Sequence, residues 1–281
     1  MQIQSAQTAQ FTGTAASEQT LVLKSRALYS GIRISCTGSG TGHHTKMLDA
    51  LNSLVLDVPE YGSRSRRVDV NSDTKWMLPI MSQLSALSQA DANAATSLAG
   101  SSGDNLTASF AYIDLPVNKL NLEEDVRLTI NCTPGTAATA VQTFHISFLD
   151  YAFRDIYFRP FFHAAAASSV QQWFPSDGVL RGVVAVATDG SEAAGSWAEA
   201  RSSSTVTQVS LNGEQSTTFS FPQLLGAGLD EAISGGTPGE YYAIDSYSML
   251  KTFPIQNVAQ YVDVTRGASK GLLIMGVMSD A

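Results

Sequence analysis

Asp125 to Cys132 reads DVRLTINC and Thr143 to Leu149 reads TFHISFL, with TPGTAATAVQ between them. Short runs rich in Val, Ile, Leu, Phe and Thr, broken roughly every ten residues by Gly, Pro, Asn or Ser, predict strands of an all-β sandwich or barrel. Toward the N-terminus, Thr20–Lys24, Gly31–Thr37, Leu54–Val58 and Ala108–Leu115 read the same way. Toward the C-terminus come Arg154–Phe162, the nearly continuous apolar run Val179–Thr188, and Thr205–Leu211 ahead of an Asn212-Gly213 turn. Tyr241–Tyr247, Val258–Thr265 and Gly271–Met278 complete the set. Helical spacing is sparse. Trp76, Met77, Ile80, Leu84 and Leu87 predict one helix over 79–92 with Pro79 in its first turn, and Phe221–Ile233 is a second, short candidate. Stretches 94–105 and 189–204 are Gly/Ser-rich and read as loops, while Met1–Ser17, rich in Gln, Thr and Ala, reads as an arm ordered by neighbours.

With 281 residues and 44% hydrophobic content, the chain can bury a full core, which excludes global disorder. A net charge of -8, with 10 basic against 13 acidic residues in 1–150 and 7 against 12 in 151–281, argues against coating a genome, which requires clustered Lys and Arg. No apolar run approaches the roughly 20 residues of a membrane-spanning helix. No signal peptide is visible at the N-terminus, so synthesis in the cytoplasm is expected. Cys36 and Cys132 both fall in strand-like segments and are expected as reduced core thiols; without a CxxC spacing or a flanking His they make no zinc ligand set.

The two halves share an order: a strand, one short helix, a Gly/Ser loop, then three strands. Leu54–Val58 matches Thr205–Leu211, Ala108–Leu115 matches Tyr241–Tyr247, Asp125–Cys132 matches Val258–Thr265, and Thr143–Leu149 matches Gly271–Met278. This pattern-level repeat predicts an arm over 1–18 and two copies of one β domain, over 19–150 and 151–281. The second half, through Leu180–Ala187, VTQVSLNGE at 206–214, YYAIDSYSM at 241–249 and NVAQYVDVT at 257–265, resembles the double jelly-roll major capsid proteins of tailless icosahedral phages with an internal membrane, the corticovirus type. The resemblance implies two tandem eight-stranded jelly rolls, each with a short helix, in a structural protein that is not an enzyme. It further implies homotrimers that tile an icosahedral shell, and a location in the virion after synthesis in the host cytoplasm. Implied partners are other copies of the chain, penton and minor capsid proteins, and membrane lipid through the N-terminal arm, with no specific nucleic acid. A jelly-roll carbohydrate-binding or spike protein is the alternative that the same fold permits.

Several motifs imitate chemistry. TGSGTG at Thr37–Gly42 follows a strand and precedes a possible helix over Thr45–Leu54, and Tyr247 and Lys251 stand in Y-x-x-x-K spacing with Ser234 upstream, as in a short-chain NAD(P)-dependent dehydrogenase. The glycines, however, lack G-x-G-x-x-G spacing, and the flanking text is β with loops where that fold needs alternating strand and helix. The motif is therefore read as an inter-strand loop. His43 and His44 are adjacent and would diverge, and His145 and His163 are distant, so no metal cluster is expected. Glu123-Glu124 and Asp230-Glu231 read as solvated turns, and Arg64, Arg66 and Arg67 as a solvated hairpin tip. The aromatic group Tyr151, Phe153, Tyr157, Phe158, Phe161 and Phe162, with Arg154 and Arg159, could stack single-stranded nucleic acid but reads better as a hydrophobic seam. No catalytic, cofactor-binding or metal-binding residue is assigned, and no cofactor is expected.

Overall fold

A computed structural model describes residues 3–24, 28–45, 47–60, 63–85, 96–97, 112–119, 125–150, 153, 155–164, 169–174, 178–188, 206–211, 218–220, 248–251, 260–266 and 271–279. In chain order the first elements are β1 (Ile3–Thr12), β2 (Ser17–Leu23), β3 (Tyr29–Ser39), α1 (Met47–Ala50), β4 (Leu51–Glu60) and β5 (Ser63–Val70). A single 3-10 turn (Lys75–Met77) leads into α2 (Leu78–Ser85), followed by β6 (Thr96–Ser97), β7 (Tyr112–Lys119), β8 (Val126–Cys132) and β9 (Val141–Leu149). The remainder comprises β10 (Tyr157–His163), β11 (Ser169–Phe174), β12 (Val179–Thr188), β13 (Val206–Leu211), β14 (Thr218–Ser220), β15 (Ser248–Lys251), β16 (Gln260–Arg266) and β17 (Gly271–Ser279). The chain divides into two compact units, Met1–Tyr157 and Phe158–Ala281, compared with the expected division at 150/151.

In the first unit one sheet has the order β1-β9-β3-β7-β6 and the other β2-β8-β4-β5. Setting aside the two-residue β6, strands one, eight, three and six form one sheet, and two, seven, four and five the other. The second unit repeats this order: β10-β17-β12-β15 in one sheet and β11-β16-β13-β14 in the other. This is the eight-stranded, double Greek-key arrangement of a jelly roll, present twice. Among the described residues, the pairings of β9 with β1 and β3, β3 with β7, β8 with β2 and β4, β4 with β5, β12 with β15 and β17, β16 with β11 and β13, and β13 with β14 are antiparallel.

Alternation builds each core. Ile32, Ile34 and Cys36 of β3 lie opposite Phe148, Ile146 and Phe144 of β9, while Ile113 and Leu115 of β7 flank them; all are buried. The facing sheet contributes Val126, Leu128, Ile130 and Cys132 of β8 with Leu54 and Leu56 of β4. In the second unit, Phe161 of β10 meets Phe174 of β11 edge-on at 5.8 Å, joining its two sheets. Every residue of β17 from Gly271 to Met278 is buried, which is why that strand reads as continuous apolar text.

The structure corrects three expectations. Residues 3–12 are not an arm: β1 pairs with β9 from Ile3–Leu149 to Thr12–Val141, with a shift between Ser5 and Gln7. Ala9 and Phe11 point into the core while Thr8, Gln10 and Thr12 face out. That integration also removes the basis for lipid contact through a free N-terminal arm. The possible helix over 45–54 shrinks to α1, because β-branched and apolar text from Leu51 pairs with β8. The basic cluster at 64–67 does stand in a hairpin, in β5 with Arg64–Arg66 paired to Asp57–Pro59, but Arg67 is buried rather than solvated. The helix expected over 79–92 is present as α2 through Ser85; the candidate Phe221–Ile233, the strand Tyr241–Tyr247 and the 189–204 loop lie outside the described residues. Among the described residues, no helix is long and apolar enough to cross a membrane.

Candidate functional site

The glycine motif closes one end of the first jelly roll. Gly42 O accepts from Thr136 N at 2.8 Å, Pro134 O accepts from His44 N at 3.1 Å, and Ala140 O accepts from Gly13 N at 2.9 Å. Gly40 has φ +79 and a Cβ there would lie 1.9 Å from Thr139 O, so glycine serves a left-handed turn and a close backbone approach. The loop is packed against another loop, not opened toward a phosphate. Among the described residues every pairing with a stated register is antiparallel, unlike the parallel doubly wound sheet of a dehydrogenase. Ser234 and Tyr247 lie outside the described residues, and Lys251 ends β15.

Beside this loop lies a buried polar cluster. Cys36 Sγ donates to Gln142 Oε1 at 3.1 Å, and Gln142 Nε2 donates to His44 O. Lys75, 8% exposed, donates from Nζ to Leu51 O at 2.6 Å. Both cysteines are free and buried. Burial, with Cys132 adding a smaller effect, pushes the Cys36 thiol up to about 12; burial pushes Cys132 up to about 12 as well, against an opposing pull from Lys75. Burial lowers the Lys75 ammonium below its usual range, partly offset by Asp49 and Cys132. Thiols held protonated in this way are poor nucleophiles and poor metal ligands.

The strongest charged contact is on the outer face of β3 and β7. Arg33 Nε and Nη2 each donate to one oxygen of Asp114 at 2.7 Å, and the guanidinium carbon stands 3.7 Å from the Tyr112 ring centroid. The Asp114 side chain is fully buried and its backbone N–H donates to Ser82 Oγ of α2 at 2.9 Å, so the pair also docks the helix. The basic cluster is divided by a bulge in β4–β5: Arg66 points out to Asp57 and Asp69, at 3.3 and 2.9 Å, while Arg67 turns inward, 6% exposed, to Asp155 at 3.3 Å. Neither residue belongs to a free positive patch.

Among the described residues the aromatic group is turned largely inward, with Phe161, Phe162 and Arg159 half-buried. Phe153, Tyr157 and Phe158 are buried, and Phe153 lies over Gly31; Tyr151 and Arg154 are outside the described residues. His145 bonds Thr37 Oγ1 at 2.9 Å and His163 bonds Gln172 Oε1 at 2.8 Å. Among the described residues, no three His, Cys, Asp or Glu side chains gather as a metal site. Glu123-Glu124 and Asp230-Glu231 lie outside the described residues.

A feature the sequence reading missed is on the outer face of β11 and β16. Trp173, 50% exposed, stands opposite Tyr261 with ring centroids 4.5 Å apart and planes tilted by 39°. Its Nε1 donates to Gln171 Oε1 at 3.1 Å, and Gln171 Nε2 donates to Asp263 Oδ1 at 3.2 Å. The available signal was SVQQWF itself, in which Gln172 and Phe174 turn inward and Gln171 and Trp173 outward.

No protein-family model matches the sequence, and no curated protein matches it. Solved structures do match. The STIV MCP, at 8% identity, superposes with a TM-score of 0.59 over 99% of this chain and 96% of its own. The major capsid protein P2 from bacteriophage PM2, also at 8% identity, gives 0.53 over 100% and 97%. PBCV-1 VP54, at 11% identity, gives 0.53 over 98% and 92%. Identity this low carries the fold alone, and the strand order of both units agrees with it: the described residues have the double jelly-roll fold of those viral proteins.

Proposed function

We propose that this chain is a viral major capsid protein: a structural, non-catalytic component of the virion that encloses a genome by assembling with copies of itself. The observation that carries this reading is that one strand order is completed in both units, and that the likeness to the major capsid protein P2 runs through nearly all of both chains. A lectin or spike module of the same class would need one such roll and a ligand site; here the chain is spent on two. The acidic balance suits a shell that encloses nucleic acid without coating it. Two rolls per chain fit a trimer that presents six similar lobes and tiles an icosahedral lattice, with penton and minor capsid proteins filling its special positions. Synthesis in the host cytoplasm precedes that assembly.

Size exclusion with light scattering tests this directly. The expected mass is three times 29.8 kDa, with icosahedral particles visible by electron microscopy once trimers are concentrated. A mass of one chain at every concentration overturns the reading.

A further inference from the structure

The strip formed by Trp173, Tyr261, Gln171 and Asp263 is held in place by contacts within itself although Trp173 is 50% exposed. The indole is held by a hydrogen bond and a ring contact, and Gln171 passes that order on to the Asp263 carboxylate. An aromatic residue already fixed in place loses little side-chain freedom when covered, and Trp, Tyr and Arg dominate the energetics of protein interfaces. Among the described residues, no cation lies within ion-pair distance of Asp263.

The complementary group stands at the corresponding place in the first unit. Strand β8 is the seventh strand of its roll, as β16 is of the other; Arg127 of β8 pairs with Val22 of β2 as Tyr261 of β16 pairs with Trp173 of β11. Arg127 is exposed; its cross-strand neighbour Asp57 is held by Arg66 at 3.3 Å, and among the described residues no carboxylate lies within ion-pair distance of Arg127. Where one roll offers an aromatic pair beside a carboxylate, the other offers an arginine. A guanidinium stacks on indole better than on any other ring and also bonds a carboxylate.

We propose that this strip is a contact between copies of the chain, in which Trp173 and Asp263 of one copy receive Arg127 of another. The inference rests on the assembly reading above and assigns residues to it. The contact is heterologous, which leaves each copy an unused half with which to bind the next.

The test uses the full chain and light scattering across a concentration series, with circular dichroism to confirm folding. Trp173→Ala, Asp263→Arg and Arg127→Glu should each raise the concentration of half-assembly about tenfold or more while leaving the spectrum unchanged, and Arg127→Glu combined with Asp263→Arg should restore assembly. If the wild-type chain assembles and all three variants match it, the face is open to some other partner, such as a saccharide, and the inference fails while the assembly reading stands. If Trp173→Ala and Asp263→Arg weaken assembly but Arg127→Glu does not, the assigned partner is wrong. A wild-type chain that stays at 29.8 kDa overturns both.

Discussion

Truncating the N-terminus asks whether residues 3–12 belong to the core. Phe11 is 1% exposed, and its ring meets Phe144 edge-on at 5.8 Å and 88°, while Ala9 is fully buried. Burying a phenylalanine side chain contributes about 1.5–3 kcal/mol by transfer, and the cavity left on truncation brings a Phe→Ala change to about 3–5 kcal/mol. Phe11→Ala should therefore cost the first unit about 3–5 kcal/mol, a large share of the roughly 5–15 kcal/mol that holds a domain folded. Gln10→Ala, on the outward face of the same strand, should change stability by no more than about 0.5 kcal/mol. Deleting residues 1–12 removes the whole pairing with β9 and uncovers Phe144, so the truncated chain should not accumulate as soluble folded protein. The assay is urea unfolding followed by circular dichroism, reading the transition of the first unit, since a two-unit chain need not unfold in one step. A truncated chain that is soluble and unfolds like the wild type, or a Phe11→Ala midpoint equal to that of Gln10→Ala, would refute the reasoning and return residues 3–12 to the status of a detachable arm.

Two further outcomes follow from the buried polar groups. Asp114→Ala leaves Arg33 without its carboxylate on a largely covered face and should cost about 3–5 kcal/mol in urea unfolding; adding Arg33→Met should recover most of that loss, and no recovery would mean that the cost came from packing rather than stranded charge. Cys36 and Cys132 are held up to about 12 against an ordinary value of 9.0, so the folded state keeps both protons where the unfolded chain releases them. Their contribution is complete below pH 9 and lost as the pH rises toward 12: at pH 10 it has fallen by roughly 1.4 kcal/mol per thiol. The lowered ammonium of Lys75 acts in the opposite direction, and replacing Cys132 in the Cys36→Ala, Cys132→Ala double variant removes one of the two groups that offset that lowering, which favours the double variant further as the pH rises. The double variant should lose less stability than the wild type between pH 8 and pH 10, and identical losses would contradict the burial of the thiols.

What could be read from the sequence was governed by position within the sheets. Strands β3, β8, β9, β12 and β17 have neighbours on both sides, and their runs of Ile, Leu, Val and Phe announced them. The strands that were missed or misread, β1, β5, β6, β11, β14 and β15, all stand at sheet edges. An edge strand faces solvent along one side and is commonly protected by charge and irregularity, which erases the apolar signal. In β1 the inward positions carry Ala9 and Phe11 between Gln and Thr, giving little contrast. In β5 the text SRSRRVDV looks like a surface turn because Arg66 and Asp69 do face out, while a bulge that no periodicity reveals turns Arg67 in. In β11 a tryptophan points outward and a glutamine inward, inverting the usual pattern at the place where the proposed contact lies. The glycines of the 37–42 loop resembled a nucleotide fingerprint because left-handed turns and close backbone approach demand glycine whatever they serve. The arm, too, was at odds with the eight strands assigned to the first roll. A jelly roll needs its first strand beside its eighth, and a roll beginning at residue 19 has none to offer β9, whose Phe144 would lie bare along the sheet edge. Residues 3–12 supply that strand, so the topology demands it even where the local text is silent.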